Sequence, residues 1–180
     1  MPGPARSARG RVPRAVLALD KPLIAAIAGA AVLSAAQLGG LADGALELTR
    51  RYVRERHQFG APLVKVPAVA RGLAEMQVRV TEAAAGVDAG IAGLHGRDGD
   101  PVTAAIAFTA AATAATAVAR LAHQLHGAIG VTAEYPLHRW TTRMWAWRDW
   151  PRPQAEWADQ LGRVRTEELA WQATAFDRWP

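Results

Sequence analysis

The sequence predicts an all-α protein, an up-and-down four-helix bundle with an additional short helix. Alanine, leucine, glutamate and arginine dominate long stretches at helical spacing, and alternating β-branched segments are absent. The breaks between these stretches are short and rich in glycine and proline, which favours antiparallel neighbours joined by turns. With 180 residues, 51% of them hydrophobic, the chain suits one domain with a buried core.

The beginning of the chain differs from the rest. Up to Arg14 it is rich in arginine and proline and contains no acidic residue. We therefore expect residues 1–22 to be a disordered basic stub and residues 23–180 to form the helical domain. The uncharged stretch 23–42 has the length of a membrane span, but it consists mostly of alanine and glycine, which contribute little to insertion. We expect a buried bundle helix there and no membrane association, with Gly40 and Gly44 allowing close helix contact.

The first helix is predicted from residue 22 or 30 to about residue 56, and residues 57–67 form a connector broken by one glycine and two prolines. The second helix is predicted over 67–94, with Pro67 in its first turn, where proline is tolerated. Its apolar residues recur at helical spacing and are expected to face inward: Val69, Leu73, Met76, Val80, Val87, Ile91 and Leu94.

The third helix is predicted over 101–126, with Asp100 as its cap and Pro101 at its first position. No residue from 101 to 119 is charged, which is typical of a central helix with neighbours on several sides. A short helix over 136–147 and a last helix over 153–176 complete the prediction. All seven tryptophans lie between Trp140 and Trp179, so this part either covers the core or forms an interface.

Composition excludes several classes of function. The net charge is +5, but the arginines are spread among acids and do not form a stripe typical of nucleic-acid binding. The chain has no cysteine, which excludes a disulfide framework and fits the cytoplasm. No glutamate is followed three residues later by a histidine, so we expect no metal on His123 and His126. The only serines, Ser7 and Ser34, lie in no nucleophile motif.

Two short motifs carry the functional prediction. The first, Tyr52-Val-Arg-Glu-Arg56-His-Gln-Phe59-Gly60, ends a long helix with a row of arginines and then breaks it at a Phe-Gly turn. Such an end can direct a guanidinium and an aromatic face at a diphosphate and an adenine. The second, Gln124-Leu-His-Gly-Ala-Ile-Gly130, follows another helix with small residues that allow backbone to approach a bulky ligand.

In order and spacing the two motifs resemble flavin-contacting segments from the C-terminal helical domain of the acyl-CoA dehydrogenase family. The resemblance covers about residues 23–171 and none of the family's N-terminal and middle domains. It implies FAD-dependent dehydrogenation of acyl-CoA thioesters between the α and β carbons, in a homo- or hetero-oligomer that passes electrons to an electron-transfer flavoprotein. The second motif, with Glu134-Tyr-Pro-Leu-His138, is similar to heteromeric members from actinobacterial steroid and lipid degradation.

The resemblance also implies roles for single residues, with FAD shared between this chain and a partner subunit. In the first motif, Arg56 would contact the pyrophosphate, Gln58 would hydrogen-bond beside it, and Phe59 would pack near the adenine. Three residues of the second motif would meet the same cofactor: Gln124, Gly127 and Ala128.

The chain departs from the family at the catalytic base. An ungapped count from the second motif places the family's usual glutamate at Pro151, which cannot take a proton. The nearest carboxylates, Asp149 and Glu156, are weak candidates, and the first helix offers no acid near Ala30. We therefore expect no catalytic residue here, and a truncated or non-catalytic subunit that completes a partner's FAD site and is inactive alone. The alternative is a helical interaction or regulatory module without oxidoreductase activity.

Overall fold

The computed structural model describes residues 21–58, 60–95 and 100–150. Four α-helices lie within them: α1 (Lys21–Glu55), α2 (Pro67–Leu94), α3 (Pro101–His126) and α4 (Leu137–Arg148). The first three pack against one another with alternating direction, and α4 lies against α1 and α3. This confirms the all-α fold. Residues 1–20 and 151–180 fall outside the described residues, so the basic stub and the last helix with its tryptophans stay predictions.

The ends of α2 and α3 coincide with their predicted ends because local side chains define them. Pro67 occupies the first turn of α2. At the start of α3, the Asp100 side chain accepts a hydrogen bond of 2.9 Å from the backbone N–H of Val102, as expected of a helix cap. At its end, Gly127 adopts a positive φ of 63°, which glycine takes up without strain.

The connector between α1 and α2 contains structure that the sequence did not predict. The two-residue strands β1 (His57–Gln58) and β2 (Ala61–Pro62) pair antiparallel, and a short 3₁₀ helix, Leu63–Lys65, follows. Gly60 forms the turn with a φ of 80°. Strands of two residues show no alternation that a sequence pattern could reveal, so this hairpin was missed.

Small residues form the seam between α2 and its neighbours. The buried residues of α2 are Gly72, Met76, Val80, Ala83, Gly86 and Gly90. A β-carbon added at Gly90 would lie 2.8 Å from the Cβ of Ala107 on α3 and 3.0 Å from Cγ2 of Val32 on α1. The prediction that Ile91 faces inward is wrong, since 43% of this residue is exposed. α2 comes closest to its neighbours at its glycines, and this orientation places the larger Ile91 on the exposed side of the helix.

The two glycines expected to allow close contacts on α1 behave differently. The ring of Trp140 on α4 lies against Gly44, in the space that a side chain at this position would need. At Gly40 an added β-carbon would meet nothing within 4 Å in the part of the chain that the structure describes. The expectation is therefore confirmed at Gly44 and wrong at Gly40.

Two apolar stretches in the described residues, 25–55 and 101–131, are long and apolar enough to cross a membrane by length and composition alone. Core helices of soluble proteins pass the same test. In the most apolar part of 101–131, 56% of the residues are buried inside the bundle, against 39% in the most apolar part of 25–55. The central position of α3 thus accounts for its composition without a membrane.

Replacing Gly90 with alanine tests the packing of the seam, and Gly39→Ala is the matched control because its β-carbon would meet nothing within 4 Å. Both changes favour the helix by about 0.5–1 kcal/mol. Only at Gly90 must the new methyl group displace side chains of two neighbouring helices. We expect the free energy of unfolding of Gly90→Ala to lie about 1–3 kcal/mol below that of Gly39→Ala in urea denaturation. Equal values would show that the helices are not in close contact there.

Candidate functional site

The two motifs meet at one end of the bundle. α1 and α3 both run towards this end, and the ring of Tyr52 stacks on the ring of His126 with centroids 4.4 Å apart and planes inclined by 22°. The Tyr52 hydroxyl also donates a hydrogen bond of 3.3 Å to the backbone carbonyl of His126. Tyr52 lies one helical turn before Arg56, and His126 directly precedes Gly127. The contact therefore joins the start of the first motif, in the last turns of α1, to the second motif.

We call the surface formed by Arg56, Gln58, Gln124, Gly127 and Ala128 the motif corner. All five residues are exposed. The sixth predicted site residue, Phe59, lies outside the described residues. The structure thus brings two sets of side chains, far apart in sequence, to the same end of the protein, with their polar groups accessible to a ligand.

The backbone of Arg56 is held on both sides while its side chain is exposed. Its N–H donates to the carbonyl of Tyr52 at 2.8 Å, which extends the last turn of α1. Its carbonyl accepts a bond of 2.8 Å from the N–H of Leu63, which closes the connector. A guanidinium on a fixed backbone is suited to a forked hydrogen bond with phosphate oxygens.

The second motif leaves α3 through a short 3₁₀ helix, Gly127–Val131. At Gly127 an added β-carbon would meet nothing within 4 Å, so a ligand can approach the backbone there. Gly130 is small for a different reason: its β-carbon would lie 2.9 Å from Cβ of His126 and 3.2 Å from Cδ2 of Leu137. Gly127 therefore leaves open space beside the backbone for a ligand, and Gly130 allows the chain to pack closely against α3 and α4.

His126 is the buried centre of this end of the bundle, with only 4% of the residue exposed. Its Nδ1 lies 2.8 Å from the carbonyl of Ala122, which assigns the ring proton to Nδ1 as the donor. Its Nε2 is buried and has no hydrogen-bond partner in the part of the chain that the structure describes. Burial lowers the pKa of His126, and nearby His123 lowers it further, although the Ala122 carbonyl acts in the opposite direction. The ring is therefore neutral at pH 7.

Tyr135 completes an aromatic cluster with the other two rings. Its ring centroid lies 4.9 Å from that of His126 and 5.7 Å from that of Tyr52, edge to face with the latter. Burial raises the pKa of Tyr135, so the phenol keeps its proton. Sequence reasoning considered His126 only as a metal ligand and missed this cluster, because Tyr52 is distant in sequence from His126 and Tyr135.

The charges near the motif corner favour an anion. Arg51, Arg54, Arg56 and Lys65 are exposed around the end of α1, together with the acidic Glu55. Excess positive charge attracts a diphosphate, and fixed donors then bind it. The side chains that could donate here are the Arg56 guanidinium and the amides of Gln58 and Gln124, all exposed. This donor set is chemically compatible with a diphosphate group such as that of FAD.

Asp149 is poorly suited to act as a base. Arg148 donates to its carboxylate from Nε at 3.0 Å and from Nη2 at 2.9 Å. These hydrogen bonds lower the pKa of Asp149, so the carboxylate is less basic than a free one. The other two positions considered, Pro151 and Glu156, lie outside the described residues. Among the described residues, no three histidines, aspartates or glutamates converge in a way that could bind a metal.

The buried His126 makes the fold sensitive to acid. The pKa of histidine is ordinarily 6.5 and is lower here in the folded state, so as the pH falls below about 6.5 the unfolded chain takes up this proton first. Stability is therefore lost as the pH falls through the folded pKa of this ring. We expect urea denaturation to show a loss between about pH 7 and pH 5 that is smaller in His126→Phe, which cannot be protonated. Equal losses would mean that other groups cause the acid sensitivity.

Comparison with known proteins gives the same assignment as the motifs. A family model described as "Acyl-CoA dehydrogenase, C-terminal domain" matches residues 23–148. The chain is 35% identical over 116 residues to acryloyl-CoA reductase (NADH) of Anaerotignum propionicum, covering 63% of this chain and 29% of that protein. It is 36% identical over 115 residues to acyl-CoA dehydrogenase IpdE2 of Mycobacterium tuberculosis, covering 63% and 34%. The match thus spans about a third of the length of these relatives.

Solved structures show the same fold. A steroid ACAD, Tcur3481-Tcur3483, superposes with a TM-score of 0.74 at 28% identity, covering 78% of this chain and 39% of that chain. The ChsE4-ChsE5 complex from Mycobacterium tuberculosis superposes with a TM-score of 0.70 at 25% identity, covering 77% and 38%. The matched residues include all four described helices and both motifs. The chain therefore belongs to the acyl-CoA dehydrogenase family, through that family's C-terminal helical domain.

Proposed function

We propose that this domain forms one wall of an FAD site in an acyl-CoA dehydrogenase assembled from more than one subunit, and that it contributes no catalytic base. The contact between Tyr52 and His126 carries the proposal, because it places the arginine-rich end of α1 beside the glycine-containing end of α3. A dinucleotide held mainly by a partner subunit can then rest across both ends.

In this role the residues of the motif corner bind and orient but do not react. The Arg56 guanidinium donates to the diphosphate, and the amides of Gln58 and Gln124 supply further donors beside it. Gly127 and Ala128 let the cofactor approach the backbone closely. When bound, FAD supplies the acceptor for the hydride that leaves the β-carbon of the thioester.

Removal of the α-proton requires a carboxylate that this domain does not provide in the described residues. Asp149 is bound by Arg148, and an ungapped count from the second motif places the family's usual glutamate at Pro151. We therefore assign the base to a partner subunit, which also completes the acyl-CoA site. The ChsE4-ChsE5 complex supports a heteromeric arrangement. We further propose that the assembly passes its electrons to an electron-transfer flavoprotein.

The proposed substrate is an acyl-CoA thioester of the fatty-acid or steroid type. The steroid ACAD among the structural neighbours supports the second of these. The absence of cysteine from the 180 residues supports an assembly that works in the reducing cytoplasm.

Arg56 is the residue whose change tests the proposal most directly. The chain is co-expressed with neighbouring genes of the same family, and FAD in the purified complex is measured by visible absorbance and by titration. We expect Arg56→Ala to weaken FAD binding by about 10- to 100-fold, because a charge-assisted hydrogen bond to the diphosphate is lost. Arg56→Lys should recover part of the affinity, since it keeps the charge but not the fork.

The matched control is Arg143→Ala, which removes an exposed arginine of α4 and should leave FAD binding unchanged. Equal FAD affinity in Arg56→Ala and the wild type would contradict the proposed role of the motif corner. Tight, salt-sensitive binding of DNA by the isolated chain would instead favour the helical interaction module.

The assignment of the base has its own test. We expect Asp149→Asn to leave the dehydrogenation rate of the complex unchanged, because the carboxylate is bound by Arg148 and has a lowered pKa. The isolated chain should show no acyl-CoA oxidation even with added FAD. A rate lowered by about 100-fold or more in Asp149→Asn, with FAD still bound, would place the base in this chain.

A further inference from the structure

We propose that His126, as a neutral ring with its proton on Nδ1, is a positioning residue of the motif corner, and that placing a charge on this ring loosens cofactor binding. The inference rests on the proposed function and identifies a residue that controls cofactor binding at the same site. His126 touches no ligand in this scheme, because it acts through the backbone that follows it.

The geometry connects this one ring to both motifs. On one side it stacks on Tyr52 at 4.4 Å, and Tyr52 also donates to its carbonyl at 3.3 Å. On the other side Gly130 packs against the Cβ of His126, and a β-carbon added at Gly130 would lie 2.9 Å from this atom. Between these two contacts lie Gly127 and Ala128. The position of the His126 ring therefore decides where this backbone lies relative to the end of α1.

A second proton on the ring has no acceptor to receive it. Nε2 is buried and has no hydrogen-bond partner within residues 21–58, 60–95 and 100–150, and Nδ1 already donates to the carbonyl of Ala122 at 2.8 Å. An unpaired buried charge is strongly unfavourable, so the protonated ring must leave its place or admit water. Either movement separates Tyr52 from the second motif.

The titratable groups around the ring do not offset that charge. From α1, Tyr52 presents its ring face, with Arg51 and Glu55 near the neighbouring phenol. From α3, His123 opposes a positive charge on His126.

The segment before α4 adds one more titratable group. Tyr135 keeps its proton, since burial raises its pKa. Its backbone carbonyl lies 2.8 Å from Nδ1 of His138 on α4. Among the described residues, no carboxylate forms a hydrogen bond or an ion pair with the His126 ring.

The chain contains a matched control for the local hydrogen bond. His95 lies just beyond the end of α2, and its Nδ1 makes the same bond to the carbonyl four residues earlier, at 2.8 Å from Ile91. His95 is exposed and lies at the opposite end of the bundle from the motif corner. Replacing it removes a helix-end histidine without affecting the aromatic cluster.

The experiment compares wild type, His126→Ala, His126→Phe and His95→Phe in the purified complex. FAD affinity is titrated at about pH 7.5 and about pH 5.5, on either side of the usual histidine pKa. We expect the wild type to bind FAD about tenfold more weakly at the lower pH. His126→Ala should bind about tenfold more weakly at both values, because the stack is lost. His126→Phe should keep the stack and lose the dependence on pH, and His95→Phe should behave as the wild type.

Hydrogen–deuterium exchange of the same samples separates this inference from the proposed function. In His126→Ala the amides of residues 127–131 should exchange faster than in the wild type, while those of residues 76–83, in the middle of α2, stay protected. Wild-type affinity in His126→Ala, or an unchanged pH dependence in His126→Phe, overturns the inference. If the wild-type complex takes up no FAD, the proposed function fails. In that case amide exchange still tests the inference about His126. Faster exchange in His126→Ala that is confined to residues 127–131 supports positioning by His126, and unchanged exchange overturns it.

Discussion

The contact between Tyr52 and His126 is the constraint on which the functional end of this protein depends. Two helices that run in the same direction end side by side only if something fixes their relative height, and this pair of rings does so. The seam of small residues supports the contact, since α2 approaches α1 and α3 closely at Gly90. Close packing fixes the heights of the helices relative to one another, because a well-packed interface leaves little room for one helix to slide along another.

Local chemistry made the helix ends predictable, while tertiary contacts decided the rest of the fold. Pro67 defines the start of α2 through its own backbone, and Asp100 defines the start of α3 through its side chain. The sequence pattern alone was therefore sufficient to predict where these two helices begin. Ile91 was assigned to the core because it follows the apolar period, but the seam is determined by how closely glycines let the helices approach. Residues 57–62 form a hairpin too short to show any period.

The candidate site was predictable to a similar degree. Both motifs can be recognised in the sequence because each combines a helix end with glycine, and the structure brings the end of α1 and the start of the second motif together. The role of His126 could not be predicted, since it depends on the distance between two rings that are remote in sequence. The burial of its Nε2, which has no partner among the described residues, is a property of the packed state alone.

A domain that only holds a cofactor, as we propose here, has different requirements from one that reacts with a substrate. Binding a diphosphate requires donors and accessible backbone, and the proposed roles of Arg56, whose backbone is hydrogen-bonded, and of Gly127 correspond to these requirements. Abstracting a proton requires a carboxylate whose basicity is raised, whereas the pKa of Asp149 is lowered by the adjacent Arg148. Because the two requirements are chemically independent, they can be met by different subunits, provided that the rigid end of the bundle fixes their relative position.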